Sequence, residues 1–339
     1  MTKQHSKLTL LVVAIALVVV VAISALALAK RSVVHQPTEI FIPTSTDYPT
    51  LISALSQVGV ENVELVSLVG RLKRLDQHIK PGHYILPKGA SAMRVVNMLR
   101  GGAQTPVKLT FNNTRTLEEL ASRLAEQIEA DSCALATYLK EPSTAAKYNL
   151  RPEEIIALFI PNTYEVWWTV TPEQLTDRMA REWNKFWNES RMAKLQRTGL
   201  SQVEAVTLAS IVYEETKNIG EMPKIAGVYI NRLRRGMPLQ ACPTAKYAIG
   251  DFTIKRVLHK HTQVKSPYNT YLNRGLTPGP ICVPSIAAID AVLNYTSHNY
   301  LYFCAKEDFS GTHNFSTNLA QHNRYAKRYS DALRKAGIK

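Results

Sequence analysis

Two adjacent carboxylates, Glu214 and Glu215, are the residues whose types and spacing best suit acid–base chemistry. They end an apolar segment whose pattern predicts a helix buried around most of its circumference. On such a helix, Glu215 follows Leu208 and Val212 on an apolar stripe. Glu214 instead follows Thr207 on a more polar stripe. We therefore expect Glu215, rather than Glu214, to face an apolar environment.

A carboxyl group in an apolar environment has a raised pKa and can donate a proton near neutral pH. The same side chain could instead be solvated at the helix end or paired with a nearby arginine, and spacing alone leaves these alternatives open. Glu221 is a candidate second carboxylate, but Asn218 and Gly220 interrupt the helix between it and Glu215. The sequence therefore does not show whether the two carboxylates face each other, as the pair of an ordinary glycosidase must.

Other chemistries find little support in the sequence. The four cysteines, at positions 133, 242, 282 and 304, form no Cys-x-x-Cys pair, and the sequence has no ligand cluster or phosphate-binding loop. We therefore expect no metal and no organic cofactor. Ser210 lies in the middle of the predicted helix without a Gly-x-Ser-x-Gly elbow, which argues against a serine hydrolase.

The composition indicates a globular protein with an acidic partner. The chain has 339 residues, of which 45% are hydrophobic and 20% charged. Lys and Arg outnumber Asp and Glu by 41 to 27, which gives a formal net charge of +14. Nucleic acid, anionic lipid and an acidic polymer would each suit this excess, and a generally soluble basic surface is the alternative.

The N-terminus narrows this choice of partner. Residues 8–29 form an apolar run that would reach about 33 Å as a helix, long enough for the hydrocarbon core of a bilayer. Ala27-Leu28-Ala29 also fits a signal-peptide cleavage site, but the run is longer than a usual signal sequence. We expect an uncleaved transmembrane helix, a cytoplasmic tail at 1–7, and a periplasmic remainder held at the inner (cytoplasmic) membrane. Membrane lipid and cell-wall polymer then become the expected partners, and nucleic acid does not.

The pattern of the residues after the apolar run predicts an α+β fold in two parts. Residues 37–104 predict a small α+β subdomain, with strands near 39–43 and 83–87 and three amphipathic helices. Residues 105–339 predict a larger mixed α/β domain with long loops, in which Thr116 and Ser201 open helices through capping boxes. Residues 237–284 are rich in Pro, Gly, Asn and Tyr, and we expect mostly loop there.

Several short motifs, in a fixed order, resemble those of one known family, the endolytic murein transglycosylases, which are membrane-anchored lyases of bacterial peptidoglycan. Residues 159–164 resemble the family pattern F-P-D-T-Y, residues 208–216 resemble L-A-S-I-V-E-x-E-T, and residues 230–233 match I-N-R-L. Residues 239–244 resemble L-Q-x-D-P-T, and residues 268–271 match Y-N-T-Y. Residues 275–280 resemble G-L-P-P-G-P-I, and residues 313–323 fit H-x-F…H-N. The chain departs from these patterns at Asn162, Tyr213 and Cys242, where the family has Asp, Glu and Asp. Agreement of several ordered motifs is far more specific than one short motif.

The resemblance implies an enzyme that cleaves the β-1,4 bond between N-acetylmuramic acid and N-acetylglucosamine without water, leaving 1,6-anhydro ends. The catalytic acid of the family falls on Glu215, the residue that the stripe argument also favours. Because the same group can act first as acid and then as base, no second carboxylate is needed. The resemblance further implies that 37–104 is LysM-like, that 105–339 is catalytic, and that the protein releases nascent strands beside peptidoglycan synthases.

The resemblance also suggests residues for substrate binding. Gln240, Asn231 and Asn269 would bond acetamido and hydroxyl groups, Tyr268 and Tyr271 would stack on sugars, and Thr244 and His313 would orient the acid or the C6 hydroxyl. For each of them, a role in holding the loops together is the alternative. A non-catalytic peptidoglycan-binding or scaffold protein is the alternative for the whole chain.

Two cysteines lie in loops that the family folds around its cleft. We expect Cys242 and Cys282 to lie close together and to be able to form a disulfide across the rim. Two unrelated free thiols are the alternative.

Overall fold

The structure is a computed structural model, and it describes residues 11–20, 27, 29–254 and 257–337. The predicted membrane anchor at 8–29 lies partly outside these residues, and the predicted cytoplasmic tail at 1–7 lies entirely outside them. Residues 11–20 form an exposed helix, α1. Within the described part of the chain, no helix combines the length and the apolar character needed to cross a bilayer.

The chain divides into two compact units. Unit 1 comprises the described residues up to 109 together with 127–129 and 165–170, and unit 2 comprises 110–126, 130–164 and the described residues from 171 onward. The sequence analysis placed its boundary at 104–105 and did not foresee that two later segments belong to unit 1. The described residues form an α+β structure with many helices and three two-stranded sheets, which pair β1 with β2, β3 with β4, and β5 with β6.

Unit 1 follows the order strand, helix, helix, strand, helix. Its elements are β1 (Thr38–Ile42), α2 (Tyr48–Gln57), α3 (Val63–Leu72), β2 (Gly82–Leu86) and α4 (Ala92–Gly101). β1 and β2 are antiparallel, and Ile40 lies opposite Tyr84 in their register. Both side chains are buried with Leu51 and Leu55 of α2 and Val95 of α4, so one apolar core holds the sheet and its helices together.

Unit 2 is mainly helical, and β3 (Val107–Phe111) leads into it. Its helices are α5 (Leu117–Ala125), α6 (Ser132–Lys140), α7 (Pro142–Lys147), α8 (Pro172–Phe186), α9 (Glu189–Thr198), α10 (Gln202–Glu215), α11 (Met222–Arg234), α12 (Cys242–Ile249), α13 (His259–Thr262), α14 (Ile286–Leu293) and α15 (Leu319–Lys335). Its other elements are 3₁₀ turns at Pro152–Leu158, β4 (Asn162–Val166), β5 (Tyr302–Ala305) and β6 (His313–Ser316). The helices that the sequence analysis expected after Thr116 and Ser201 are α5 and α10, whereas α9, α12, α13 and β6 were not predicted.

Helix α10 is the central helix of unit 2. The predicted capping box at its start is confirmed, because the Ser201 hydroxyl accepts from the Glu204 amide at 3.2 Å and the Glu204 carboxylate accepts from the Ser201 amide at 2.7 Å. Every residue from 205 to 212 is buried, and the helix packs against α11, α12 and α14. The more polar stripe on which the sequence placed Glu214, through Thr207 and Ser210, is also buried in the structure. The Ser210 hydroxyl donates to the Thr207 carbonyl at 2.7 Å and accepts from the Ile281 amide at 3.0 Å, so this side of the helix is also enclosed.

The predicted loop region 237–284 contains two short helices and otherwise irregular backbone. Its Pro278-Gly279-Pro280 segment passes against the main chain of the 3₁₀ turns. A Cβ atom added to Gly279 would lie 1.9 Å from the carbonyl oxygen of Glu153, and Arg151 donates to the Pro278 carbonyl at 2.9 Å. Glycine is therefore required at position 279 by close backbone approach.

We expect Gly279→Ala to lower the free energy of unfolding of unit 2 by about 1–3 kcal/mol or more, because backbone atoms must move to admit the methyl group. Thermal unfolding of the purified protein measures the change. Gly101→Ala is the matched control, since Gly101 is helical and an added Cβ there meets no atom within 4 Å. Equal melting temperatures for the two variants would contradict the close-approach argument.

Candidate active site

Glu215 is the last residue of α10, and its carboxylate meets a hydroxyl from the neighbouring helix. The Tyr229 hydroxyl, on α11, donates to Glu215 Oε1 at 2.7 Å. Tyr229 is almost fully buried, while Glu215 stays partly accessible. The carboxyl group therefore lies at the inner end of an opening rather than on the surface.

Burial raises the pKa of the Glu215 carboxyl above its ordinary value of 4.5, because desolvation penalises the charged form. The Tyr229 hydrogen bond and the electrostatic interactions of the carboxyl group with His313 and Lys246 oppose this shift without cancelling it. Desolvation also raises the pKa of Tyr229 well above 10, so its hydroxyl remains a donor. The sequence-based expectation of an acid in a desolvated setting thus agrees with the surroundings of Glu215.

Glu215 opens into a cavity of about 390 Å³ in unit 2. The lining comes from the ends of α10 and α11, the loop before α12, the loop at Tyr271, the β5–β6 hairpin and the start of α15. Its residues are Glu215, Tyr229, Arg232, Leu239, Gln240, Cys242, Tyr271, Tyr302, Phe303, Cys304, Ala305, His313, Leu319 and His322. Glu215 is the only carboxylate among these described lining residues. A slightly larger cavity of about 440 Å³, beside Trp183, has no carboxylate or histidine in its described lining.

Arg232 organises the floor of the cavity. Its buried guanidinium donates to the carbonyl oxygens of Leu301, Pro238 and Leu239 at 2.6–3.1 Å, and to Gln240 Oε1 at 3.3 Å. Gln240 adopts the left-handed backbone conformation, with φ of 49°, which is uncommon for a residue with a side chain. The guanidinium therefore fixes both the loop before α12 and the amide that this loop presents to the cavity.

Glu221 and His313 form a pair at the edge of the site. His313 Nδ1 lies 2.9 Å from Glu221 Oε2, and the His313 backbone amide donates to Glu221 Oε1 at 3.0 Å. Both side chains are mostly buried, with 14% and 16% of their surfaces exposed. His313 lines the cavity and Glu221 does not. The candidate second carboxylate, Glu221, therefore contacts a histidine that lines the cavity and does not line the cavity itself.

Glu214 differs from its neighbour in its partners rather than in burial. Arg115 lies 3.3 Å and Lys217 3.5 Å from the Glu214 carboxylate oxygens, and only 15% of the Glu214 side chain is exposed. The arginine pairing that the sequence left open for either carboxylate is thus found at Glu214. Glu214 is therefore paired with two cations outside the cavity, whereas Glu215 faces the cavity.

Four of the predicted substrate-binding residues lie outside this cavity. The Asn231 amide donates to the carbonyls of His298 and Tyr300, and the Asn269 amide donates to those of Thr262 and Val264. The Thr244 hydroxyl is buried and donates to the Ala241 carbonyl. Tyr268 packs on Tyr247, at 4.7 Å between ring centroids, beside a separate cavity of about 310 Å³.

These positions follow from the backbone of the long loops. Irregular segments inside a folded unit leave carbonyl groups without partners, and short amide and hydroxyl side chains satisfy them. Asn231, Asn269 and Thr244 therefore hold loops in place, which is the alternative that the sequence analysis kept open. Gln240, Tyr271 and His313 are the predicted residues that the fold does bring to Glu215.

The disulfide expected between Cys242 and Cys282 is absent, and both are free thiols. Cys242 Sγ lies in the cavity, 3.2 Å from the Tyr271 hydroxyl. Cys282 Sγ is buried against α10, where it donates to the Ser210 carbonyl at 3.6 Å, and burial raises its pKa to about 12. The two loops deliver their thiols to different surroundings, so the alternative of unrelated thiols is the one observed.

Tyr229, Arg232, Tyr302 and His322 are among the lining residues that sequence reasoning did not single out as site residues. Arg232 and His322 lie within motifs already quoted, but nothing in their spacing showed that they meet Glu215. The His322 Nδ1 atom is buried without a hydrogen-bond partner in the structure. Within the described ranges, no group of three or more His, Cys, Asp or Glu side chains is arranged to hold a metal ion.

Comparison with known proteins agrees with the motifs. Residues 40–328 match the YceG-like family. An endolytic murein transglycosylase of Bacillus subtilis strain 168 is 30% identical over 264 residues, which cover 73% of this chain and 72% of that protein. A protein of the same name from Streptococcus pneumoniae strain D39 is 28% identical over 321 residues, which cover 84% of this chain and 56% of that protein. The chain thus spans about half the length of the pneumococcal relative.

A solved structure is also similar over most of this chain. The crystal structure of a YceG-like protein from Listeria monocytogenes superposes with a TM-score of 0.55 at 26% identity, covering 86% of this chain and 99% of that chain. The resemblance inferred from the motifs, and with it the expectation of a peptidoglycan lyase, is confirmed by these relatives. From its motifs, its fold and the match over residues 40–328, the chain belongs to the YceG-like family.

Proposed function

We propose that Glu215 is the proton donor with which this chain cleaves glycan strands of peptidoglycan at the bond between N-acetylmuramic acid and N-acetylglucosamine. The observation that carries this proposal is a partly accessible carboxyl with a raised pKa that opens into a cavity of about 390 Å³. A carboxyl that keeps its proton toward neutral pH can protonate the glycosidic oxygen as the bond breaks. The C6 hydroxyl of the muramyl residue then closes a 1,6-anhydro ring on C1.

The set of carboxylates favours this lyase reaction over hydrolysis. A hydrolase needs a second carboxylate to activate water or to attack the sugar. Glu214 is paired with Arg115 and Lys217, and Glu221 is paired with His313. No further carboxylate lies among the described residues that line the cavity. Because ring closure uses a hydroxyl of the sugar itself, one proton donor and no attacking water suffice.

The remaining lining residues suit a sugar substrate. Tyr271 and Tyr302 present aromatic rings, and Gln240 presents an amide whose oxygen accepts from Arg232. Aromatic faces pack against sugar rings, and amides bond to acetamido and hydroxyl groups. A non-catalytic peptidoglycan-binding or scaffold protein would need such a surface but would have no use for a desolvated acid, so the enzyme is the better reading.

We expect Glu215→Gln to abolish most of the release of anhydro-muropeptides, by about 10²–10⁴-fold or more, because the amide keeps the shape but has no transferable proton. The measurement is mass spectrometry of products released from purified sacculi, at equal concentrations of folded protein. Binding of glycan should persist, since the rest of the cavity is unchanged.

Glu214→Gln is the matched control, on the same turn of α10. It loses a charge paired with Arg115 and removes nothing from the cavity, so the variant should keep most of its turnover. Near-normal turnover by Glu215→Gln, or equal losses in the two variants, would overturn the assignment. Hydrolysed reducing ends in place of anhydro ends would point to a glycosidase.

The raised pKa of Glu215 also predicts a dependence on pH with a definite sign. The folded protein favours the protonated carboxyl, so its contribution to stability is complete below about pH 4.5 and is lost as the pH rises through the folded-state pKa. Over the same range the acid loses its proton and kcat/KM falls. The groups that act on this carboxyl are Tyr229, Lys246, His313 and Glu214, with Cys242, Arg232, Tyr271 and His322 also in the cavity.

Melting temperatures of wild type and Glu215→Gln across pH measure the first effect, and initial rates measure the second. We expect the variant to gain stability relative to wild type as the pH rises, because the amide carries no charge to desolvate. A difference in melting temperature that is constant with pH, together with kcat/KM that keeps rising with pH, would contradict a raised Glu215 pKa.

We further propose that residues 8–29 anchor the protein in the cytoplasmic membrane, with 37–104 as a LysM-like glycan-binding module and the catalytic unit on the outer side. The apolar run of the sequence supports the anchor. In unit 1, Phe41 is exposed and lies 5.2 Å from Trp168 between ring centroids, an aromatic surface suited to sugars. Such an enzyme would release nascent strands beside peptidoglycan synthases.

N-terminal sequencing of the membrane-extracted protein tests the anchor. We expect the mature chain to retain residues 8–29 and to stay in the membrane fraction after a high-salt wash, because hydrophobic insertion is not screened by salt. A mature chain that begins at Lys30 would show that the segment is a cleaved signal peptide.

A further inference from the structure

We propose that His313, oriented by Glu221, is the base that removes the proton from the muramyl C6 hydroxyl. This inference rests on the proposed function and adds a second catalytic residue to it. Glu215 then serves as the acid, and the two proton transfers are divided between two side chains of one cavity. Glu221 is a positioning residue, because it acts through the histidine.

The contacts of Glu221 fix the direction of the imidazole. One carboxylate oxygen accepts the His313 backbone amide at 3.0 Å, and this bond can have only that direction because an amide N–H is a donor. The other oxygen lies 2.9 Å from Nδ1. An ionised carboxylate only accepts hydrogen bonds, so the proton of a neutral imidazole resides on Nδ1 and Nε2 carries the lone pair.

Three elements hold this pair in place. Glu221 directly precedes α11, and His313 begins β6, where it pairs with Ala305 of β5. The ring of Phe303 meets the imidazole edge-on at 5.3 Å between centroids. A carboxylate, a strand and an aromatic ring thus restrict the imidazole on the side of Nδ1 and along its plane, while the residue borders the cavity that contains Glu215.

The reaction balances with these two groups. The Glu215 carboxyl proton moves to the glycosidic oxygen, and the bond from muramyl C1 to that oxygen breaks. The C6 oxygen forms a new bond to C1, and its proton moves to His313 Nε2. A proton then passes from the imidazolium to the Glu215 carboxylate within the cavity, which restores both groups. No water, oxidant or other co-reactant is consumed.

A separate base is expected to increase the rate because it removes a constraint on the order of events. A single carboxyl group cannot accept the C6 proton until it has delivered its own. With His313 present, the C6 oxygen can gain nucleophilic character while Glu215 is still protonated. Ionised Glu221 also stabilises the imidazolium that the transfer creates, in the way that a carboxylate stabilises the histidine of a catalytic triad.

The test uses the full-length protein and an uncrosslinked glycan strand of defined length, with anhydro ends counted by mass spectrometry. We expect His313→Ala to lower kcat by about 10²–10⁴-fold with little change in KM, because ring closure rather than binding is impaired. Added imidazole should restore part of the lost rate with saturation, since it can occupy the space of the deleted ring. A side chain with a purely structural role would not be replaced by a soluble base.

Glu221→Gln gives an independent test. Its amide oxygen can still accept the backbone N–H, but its NH₂ group donates to Nδ1 and moves the imidazole proton to Nε2. The Nε2 atom then has no lone pair with which to accept the C6 proton, so kcat should fall while KM and the melting temperature change little. Added imidazole should not restore this variant, because the His313 ring still occupies the site.

Two controls keep the outcomes distinct. His322→Ala removes another histidine of the same cavity, one whose Nδ1 has no partner in the structure, and imidazole should not restore its rate. Wild-type protein that forms no anhydro ends would overturn the proposed function itself. Wild-type activity that depends on Glu215 but survives in His313→Ala, or a loss in His313→Ala that imidazole does not reverse, would overturn only the assignment of the base.

Discussion

The desolvation of one carboxyl group at the end of a buried helix is the constraint on which the arrangement of unit 2 depends. Helix α10 is enclosed from residue 205 to 212, so its last turn delivers Glu215 to the interior instead of to water. Tyr229 on α11 supplies one hydrogen bond and little charge compensation. A site of this kind raises the pKa of a carboxyl group, and the packing of the surrounding residues offsets the free energy that its desolvation costs.

The neighbouring carboxylates are arranged so that this acid stays distinct. Glu214 is neutralised by Arg115 and Lys217, and Glu221 is bound to His313. Neither carboxylate lines the cavity, where a second negative charge would raise the pKa of Glu215 further and disfavour its later ionisation. Three carboxylates within eight positions of sequence thus have three electrostatic settings, and each setting is produced by a different partner.

The long loops are fastened by side chains that at first resemble substrate ligands. Asn231 and Asn269 bond to carbonyl groups, and Arg232 bonds to three more. Irregular backbone inside a folded unit requires such partners, because an unpaired carbonyl away from water is costly. In this chain, Asn231 and Asn269 therefore position loops, while Gln240 and Tyr271 reach the cavity.

The sequence by itself predicted the capped start of α10, singled out Glu215 as the candidate acid and indicated the family. The capping pair of Ser201 and Glu204, the apolar run that follows it and the ordered motifs are properties of neighbouring residues, so they could be recognised along the chain. Only the tertiary structure decided which carboxylate pairs with which cation. It also decided that Glu221 meets His313, 92 positions away, and that Cys242 and Cys282 separate. These outcomes depend on long-range packing, which sets distances between side chains that no spacing along the chain encodes.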